Sequence, residues 1–328
     1  MSKKILITGA NGFLGSAITK LAIKKGYKVS VLIRKNSNLD NLIKFQSKIN
    51  FFYGDLRNKS DLYEPVKESD IIFHVAADYR LWSRKSSEIY DTNVHGTENL
   101  ALSVLKFKKK LVYTSSVAAL GFDKNEGNET TRVKFGQMVG DYKKSKYLAE
   151  KIIEKLAKKD LQVITVNPST PIGPGDIKPT PTGKIILDVL KRKMPAYVDT
   201  GLNFVHVEDV AEGHFLALKK GKIGEKYILG GENLNFKDFL DLVSETGNVP
   251  KVNFKINFKY LIPLAFLNEF LCKFFISRTP SLTIDSLKMS SKKMYFSSAK
   301  AKKKLGYRPR PVKSAIKDAV NWMNIYFK

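Results

Sequence analysis

Short apolar runs alternate with amphipathic stretches along the first half of the chain. Residues 4–8, 27–33, 49–53, 70–75, 111–114 and 161–166 are compact, mostly apolar segments, the kind that form strands buried on both faces. Between them the apolar positions fall at helical spacing: Ile18, Leu21 and Ala22 in 16–25, a long stretch over 86–107, and Leu148, Ile152, Ile153 and Leu156 in the helix that begins near Tyr142. Strand and helix in strict turn predict a doubly wound parallel sheet, an α/β fold of the Rossmann type, with ligands at the carboxyl ends of the strands.

Beyond Pro168 the pattern changes. Pro171, Pro174, Pro179 and Pro181, with Gly173, Gly175 and Gly183, predict an irregular loop above the sheet where a substrate would be selected. Residues 204–230 read as a return to the sheet, and 236–243, 259–276 and 314–326 as helices. The expected organisation is a dinucleotide domain over 1–174, rejoined by 204–230, and a smaller α/β substrate lobe over 175–328.

Each strand end carries a chemical signal. Gly9-Ala10-Asn11-Gly12-Phe13-Leu14-Gly15 lies between the first strand and the first helix: Gly9 permits a tight turn, Gly12 lets backbone N–H groups approach a pyrophosphate, and Gly15 lets helix and strand pack closely. The second strand ends in Arg34, with no acid between Val31 and Leu39, which favours the 2′-phosphate of NADP over the free ribose of NAD; NAD is the alternative. The small pair Ala76-Ala77 after the fourth strand leaves room for a flat ring. Ser116 ends the fifth strand, and Tyr142 and Lys146 stand four apart on the helix that follows, so a phenol and an ammonium share one face. A cation that close would pull the phenol toward the working pH range, and Ser116 and Tyr142 can converge on one substrate oxygen.

Composition narrows the reading. With 328 residues, 43% of them hydrophobic, a sizeable core is expected. The single Cys272 and four scattered histidines allow neither an internal disulfide nor a metal cluster, and the N-terminus is broken by glycine too soon for a signal peptide, so a cytoplasmic protein is expected. The formal net charge of +26 raises a nucleic-acid or membrane role, but the basic residues come in twos and threes with no nucleic-acid motif among them. Residues 260–276 are apolar yet interrupted by Pro263, Asn268, Glu269 and Lys273, which argues against a membrane span and leaves core, homodimer contact or peripheral membrane helix open, in that order.

The chain resembles the extended short-chain dehydrogenase/reductases over almost its full length, on TGANGFLG at 8–15, GDL at 54–56, HVAA at 74–77, TNVHGT at 92–97, YTSS at 113–116, YKKSK at 142–146 and NPSTPIGP at 167–174. Within that family it is similar to the dihydroflavonol-reductase-like branch and, through AADYRLW at 76–82, DIKPTPTG at 176–183 and MPAYVDTG at 194–201, to the hopanoid-associated sugar epimerases. The resemblance implies that Asn11, Phe13, Leu14, Pro168 and Ser169 join the glycines at the cofactor and that Asp55 and Leu56 contact adenine. By the same resemblance Asn93 supports the lysine through water, Ser116 holds the substrate oxygen, Tyr142 exchanges its proton, and Lys146 holds the nicotinamide ribose and lowers the tyrosine pKa. Val117-Ala118 stand where the family's dehydratases carry an acidic pair, and Leu202-Asn203 where its nucleotide-sugar epimerases often carry an arginine. The expected activity is therefore hydride transfer on a ketone or secondary alcohol, with sugar epimerisation as the alternative. A sensing protein without turnover would need no Ser-Tyr-Lys set.

Overall fold

A computed structural model describes residues 2–121, 126–276 and 279–328. Seven parallel strands form the main sheet in the order β3-β2-β1-β4-β5-β6-β9: β1 (Lys4–Thr8), β2 (Lys28–Ile33), β3 (Ile49–Tyr53), β4 (Ile71–His74), β5 (Lys110–Thr114), β6 (Val163–Pro168) and β9 (Lys226–Leu229). The strands are apolar nearly throughout because both faces are covered. Helices α1 (Phe13–Lys24) and α7 (Val207–Lys220) bury Ile18, Ala22, Val210 and Phe215 on one side; α2 (Ser60–Lys67), α4 (Gly96–Lys106) and α5 (Asp141–Ala157) bury Val66, Leu100, Val104 and Ile153 on the other. Chain order reverses between β1 and β4, whose last residues Thr8 and His74 lie side by side. At such a switch point the loops diverge and leave a crevice at the strand ends.

A second sheet is centred on β8 (Gly201–His206). The short β7 (Thr170–Ile172) and β11 (Lys293–Met294) run parallel to it, and β10 (Glu232–Asn235) antiparallel. Around it lie α6 (Pro181–Leu190), α8 (Phe236–Gly247) and α12 (Val312–Tyr326), while α9 (Phe258–Phe274) and α10 (Ile284–Ser290) pack on each other and α11 (Ala299–Leu305) packs on α7 and β9.

The expected return of 204–230 to the main sheet is corrected in part. Only α7 and β9 return. Phe204 stacks on Phe239 of α8 with ring centroids 4.1 Å apart, so β8 belongs to the core of the second lobe. The buried stripe of α5 also differs from its apolar pattern: Ser145, Lys146, Ala149 and Glu150 are buried, while Leu148 and Ile152 are half-buried. Polar side chains occupy that face because it closes over the ends of β5 and β6.

Candidate active site

One cavity of about 1860 Å³ runs from the glycine turn, across the ends of β4, β5 and β6, to the second lobe. It exceeds the range of about 300–1,000 Å³ usual for one drug-sized ligand, as a site for a dinucleotide together with a substrate must. Gly9, Asn11, Gly12, Phe13, Leu14, Gly15, Arg34, Asp55, Leu56, Ala76, Ala77, Ser116, Tyr142, Lys146, Pro168 and Ser169 all line it.

The turn itself tests whether a dinucleotide fits. Gly9 has φ +70°, and a Cβ there would lie 2.6 Å from the Cα of Ala76; at Gly15 a Cβ would lie 2.0 Å from the carbonyl oxygen of Gly9. Neither position admits a side chain, so the turn can close only as bare backbone. Gly12 is the N-cap of α1 and no side chain caps this helix, which leaves its first-turn N–H groups directed at the cavity. A diphosphate matches those donors in charge and in hydrogen bonding.

Arg34 is exposed at the end of β2, near enough to Asp55 to lower its pKa, although the largest cause there is the hydrogen bond from Arg57. The Asp55 carboxylate is engaged by Arg57, 2.7 Å from Nη2 to Oδ2, and so reaches the cavity already paired.

Ser116 and Tyr142 meet as their spacing requires. Ser116 accepts a hydrogen bond from the Ala118 N–H (3.1 Å), which fixes the residue at the end of β5. Burial raises the Tyr142 phenol above its ordinary pKa, and its hydrogen bond with Ser116 pulls the other way. The expected lowering by Lys146 is not what the structure shows. Lys146 is 2% exposed, and its Nζ donates to the Thr114 carbonyl (2.8 Å) and the Tyr113 hydroxyl (3.3 Å). Burial lowers its pKa to about 8, with Glu150 opposing. Two of the three ammonium N–H groups are thus engaged at the end of β5, and desolvation governs the phenol.

Asn93 does not line the cavity. It lies in a π-helical turn, Asp91–His95, between α3 (Ser87–Tyr90) and α4. Its carboxamide accepts from the Asp78 N–H (2.7 Å) and donates to the Asp78 carbonyl (2.8 Å) and the Ser145 hydroxyl (2.9 Å). It therefore ties the loop after β4 to the helix that carries Tyr142 and Lys146.

Behind the site runs a buried polar network that the sequence did not signal. Glu150, 4% exposed, accepts from the Ser115 hydroxyl, from Asn167 Nδ2 (2.8 Å) and from Lys226 Nζ (2.6 Å). His74 is bonded through Nδ1 to Thr8 (2.8 Å) and through Nε2 to Thr97 (2.9 Å). His214 donates from Nδ1 to the Val210 carbonyl (2.7 Å), leaving Nε2 to accept from Thr114 (2.9 Å). Asp176, inside the proline-rich loop, also lines the cavity, and burial raises its pKa to about 6.

Burial lowers the pKa of His74 to about 3 and of His214 to about 4. In an unfolded chain both would titrate near ~6.5, so below that pH the unfolded chain binds protons that the folded one refuses. Stability is expected to be intact above about pH 6.5 and to fall toward pH 4, by up to roughly 1.4 kcal/mol per histidine per pH unit. Urea midpoints across that range provide the check; a midpoint unchanged from neutrality to pH 4.5 contradicts the buried neutral rings.

The model of the NAD dependent epimerase/dehydratase family matches residues 5–230, well over half the chain. The chain belongs to that family. A protein of Synechocystis sp. provisionally named dihydroflavonol 4-reductase is 39% identical, over 98% of this chain and 95% of its own length. Sterol demethylase protein B of Methylococcus capsulatus is 30% identical over 97% of each. The crystal structure of gox2253 matches with a TM-score of 0.88 at 46% identity, covering 99% of both chains. The resemblance to the extended short-chain dehydrogenase/reductases thus holds, and this epimerase/dehydratase-family chain is an NAD(P)-dependent enzyme.

Proposed function

We propose that the protein is a cytoplasmic NADP-dependent oxidoreductase that interconverts a ketone and a secondary alcohol on a largely apolar small molecule. The observation that carries this reading is that Ser116 and Tyr142 line one cavity with the glycine turn, close enough for Ser116 to act on the Tyr142 phenol, and that Leu120, Met138, Met194, Ile256 and Leu261 line the same cavity. A bound nicotinamide supplies the hydride or accepts it. Gly9 to Gly15 would hold its diphosphate, Arg34 its 2′-phosphate and Lys146 its ribose. Ser116 orients the substrate oxygen. Tyr142, kept neutral by burial, donates its proton to that oxygen as negative charge develops, which suits reduction of a carbonyl. The name of the Methylococcus relative agrees with an apolar substrate.

A second reading, a sugar epimerase that retains its dinucleotide, draws on Lys143, Lys288 and Lys292 along the substrate side of the cavity, where they could meet a diphosphate. Arginine is the better diphosphate clamp, and Arg80 is already held by Asp78 (2.5 Å) and Glu88 (2.9 Å). Asn203, in the position where an arginine would clamp, donates to Asn233 (2.7 Å) and to the Phe296 carbonyl (3.1 Å).

The test is cofactor exchange and choice. Purified protein is expected to exchange dinucleotide freely, to bind NADP more tightly than NAD, and to oxidise NADPH with hydrophobic ketones from a panel. Arg34→Asp should weaken NADP by on the order of 2 kcal/mol or more and relatively favour NAD. Dinucleotide that co-purifies and never exchanges would select the epimerase, and tighter binding of NAD by the wild type would remove the role of Arg34.

A further inference from the structure

Helix α9 is built inside out. Its fully buried positions are Ala265 and Cys272, and between them the polar Asn268 and Glu269 are partly turned inward. Glu269 accepts from the Ile284 N–H (2.8 Å), and the buried Asn268 Oδ1 has no partner among the described residues. The apolar side chains point the other way: Tyr260, Leu264, Phe266, Leu267, Phe270 and Phe274 range from 44% to 79% exposed. Spacings of three and four place most of them along one side. A helix packed only for its own lobe would reverse this arrangement, so the exposed side is made for something outside the fold.

Charge identifies the occupant. From Lys251 to Lys273 the sequence holds four lysines and one acid, Glu269, whose carboxylate is turned inward; Lys251 and Lys255 are paired with Glu245 (2.8 Å) and Asp199 (2.7 Å), so the cationic character of the rim rests on Lys259 and Lys273. Lys259 and Lys273 are exposed toward the two ends of α9, and Arg84 donates to the Cys272 and Ile276 carbonyls (2.9 and 2.6 Å) at its C-terminus. An apolar strip rimmed by cations matches a bilayer with anionic headgroups. In a two-fold contact with a second copy the same rim would face itself, lysine toward lysine. No helix among the described residues is long and apolar enough to cross a membrane, so α9 would lie in the interface plane. Leu261, one turn before Ala265 on the inward side of α9, lines the cavity, as does Phe254 just before the helix, which is 66% exposed, so the helix that carries the apolar strip is also part of the cavity wall.

We propose that α9 seats the protein on anionic bilayers, with the cavity mouth at the lipid surface. If the oxidoreductase reading above is right, the substrate is then a ketone or alcohol that resides in the membrane and enters beside Leu261 and Phe254.

Flotation of the full chain with vesicles tests the docking without any turnover, so it can fail while the oxidoreductase reading stands, and the reverse. Binding is expected to vesicles of phosphatidylcholine mixed with phosphatidylglycerol, weaker binding to phosphatidylcholine alone, and loss of binding at high salt. The double variant Leu264→Glu, Phe270→Glu changes two exposed positions; it should keep the wild-type melting temperature and lose vesicle binding by roughly tenfold or more. Three results would overturn the proposal: wild type that stays with the unbound fraction at low salt, binding indifferent to phosphatidylglycerol, and a double variant that floats like wild type. Light scattering covers the competing occupant: a dimer dispersed by the double variant, without flotation, makes this side a contact between copies.

Discussion

Tyr142→Phe is expected to lower turnover roughly 10²-fold or more while dinucleotide affinity survives. The substitution removes one oxygen and leaves the ring packed where it is, so the loss reads the transferable proton alone. Ser116 keeps its bond from the Ala118 N–H, so the end of β5 should not move. Hydride exchange with any ketone the wild type accepts, followed by nicotinamide absorbance, measures the first quantity, and titration with NADP the second. Full activity in the variant would reduce Tyr142 to a half-buried aromatic on a helix face.

Glu150→Ala is expected to cost on the order of 3–5 kcal/mol of stability, the usual penalty for removing one partner of a buried ionic cluster. Three donors lose their acceptor at once: the Ser115 hydroxyl, Asn167 Nδ2 and the Lys226 ammonium. Lys226 retains Glu154 (2.7 Å) and Asn167 Nδ2 its bond to the Ser116 carbonyl (3.0 Å), which softens the loss, whereas Ser115 and Asn167 are buried. Denaturant midpoints measure the effect, and a change within about 0.5 kcal/mol, the scale of an ordinary surface substitution, would refute the cluster's structural role. The same substitution should lower the Lys146 pKa further, because the Glu150 charge is what opposes its desolvation. A downward shift of any alkaline limb in the pH–rate profile would separate that electrostatic effect from simple loss of folded protein.

The parts of the molecule legible in the sequence are those where one residue type has few alternatives. Gly9 and Gly15 announce the turn because no side chain fits there, and the main strands stand out because burial on both faces makes them uniformly apolar. Ser116 and Tyr142 could be paired from their places at a strand end and the start of the next helix. Lys146 was found by its spacing, but spacing fixes which face a side chain leaves from and says nothing of where a long, flexible one ends. Its commitment to Thr114 and Tyr113 needed coordinates. Glu150 looked like one more charge on a lysine-rich helix, since its burial depends on Asn167 and Lys226, which are distant in sequence. The α/β character of the second lobe was legible, but its strands could not be located because they are short and β10, Glu-Asn-Leu-Asn, is nearly all polar. The apolar run of α9 left three readings open, and only the direction of its side chains narrows them.

The path of the chain between the two sheets has a consequence for attempts to recombine this protein with its relatives. After β6 the chain leaves the main sheet to lay down β7, α6 and β8, comes back for α7 and β9, departs again through β10 to β11, returns to set α11 against α7 and β9, and ends with α12 in the second lobe. The walls around the substrate are therefore not a cassette. A graft joined at a single point after Pro168 would import a foreign α7 and β9 along with the foreign pocket, and these would have to fit α1 and β6 of the host. Pocket exchange in this architecture has to be made segment by segment, with α7 and β9 left native, and a library built from one crossover will sample the compatibility of sheet edges before it samples specificity.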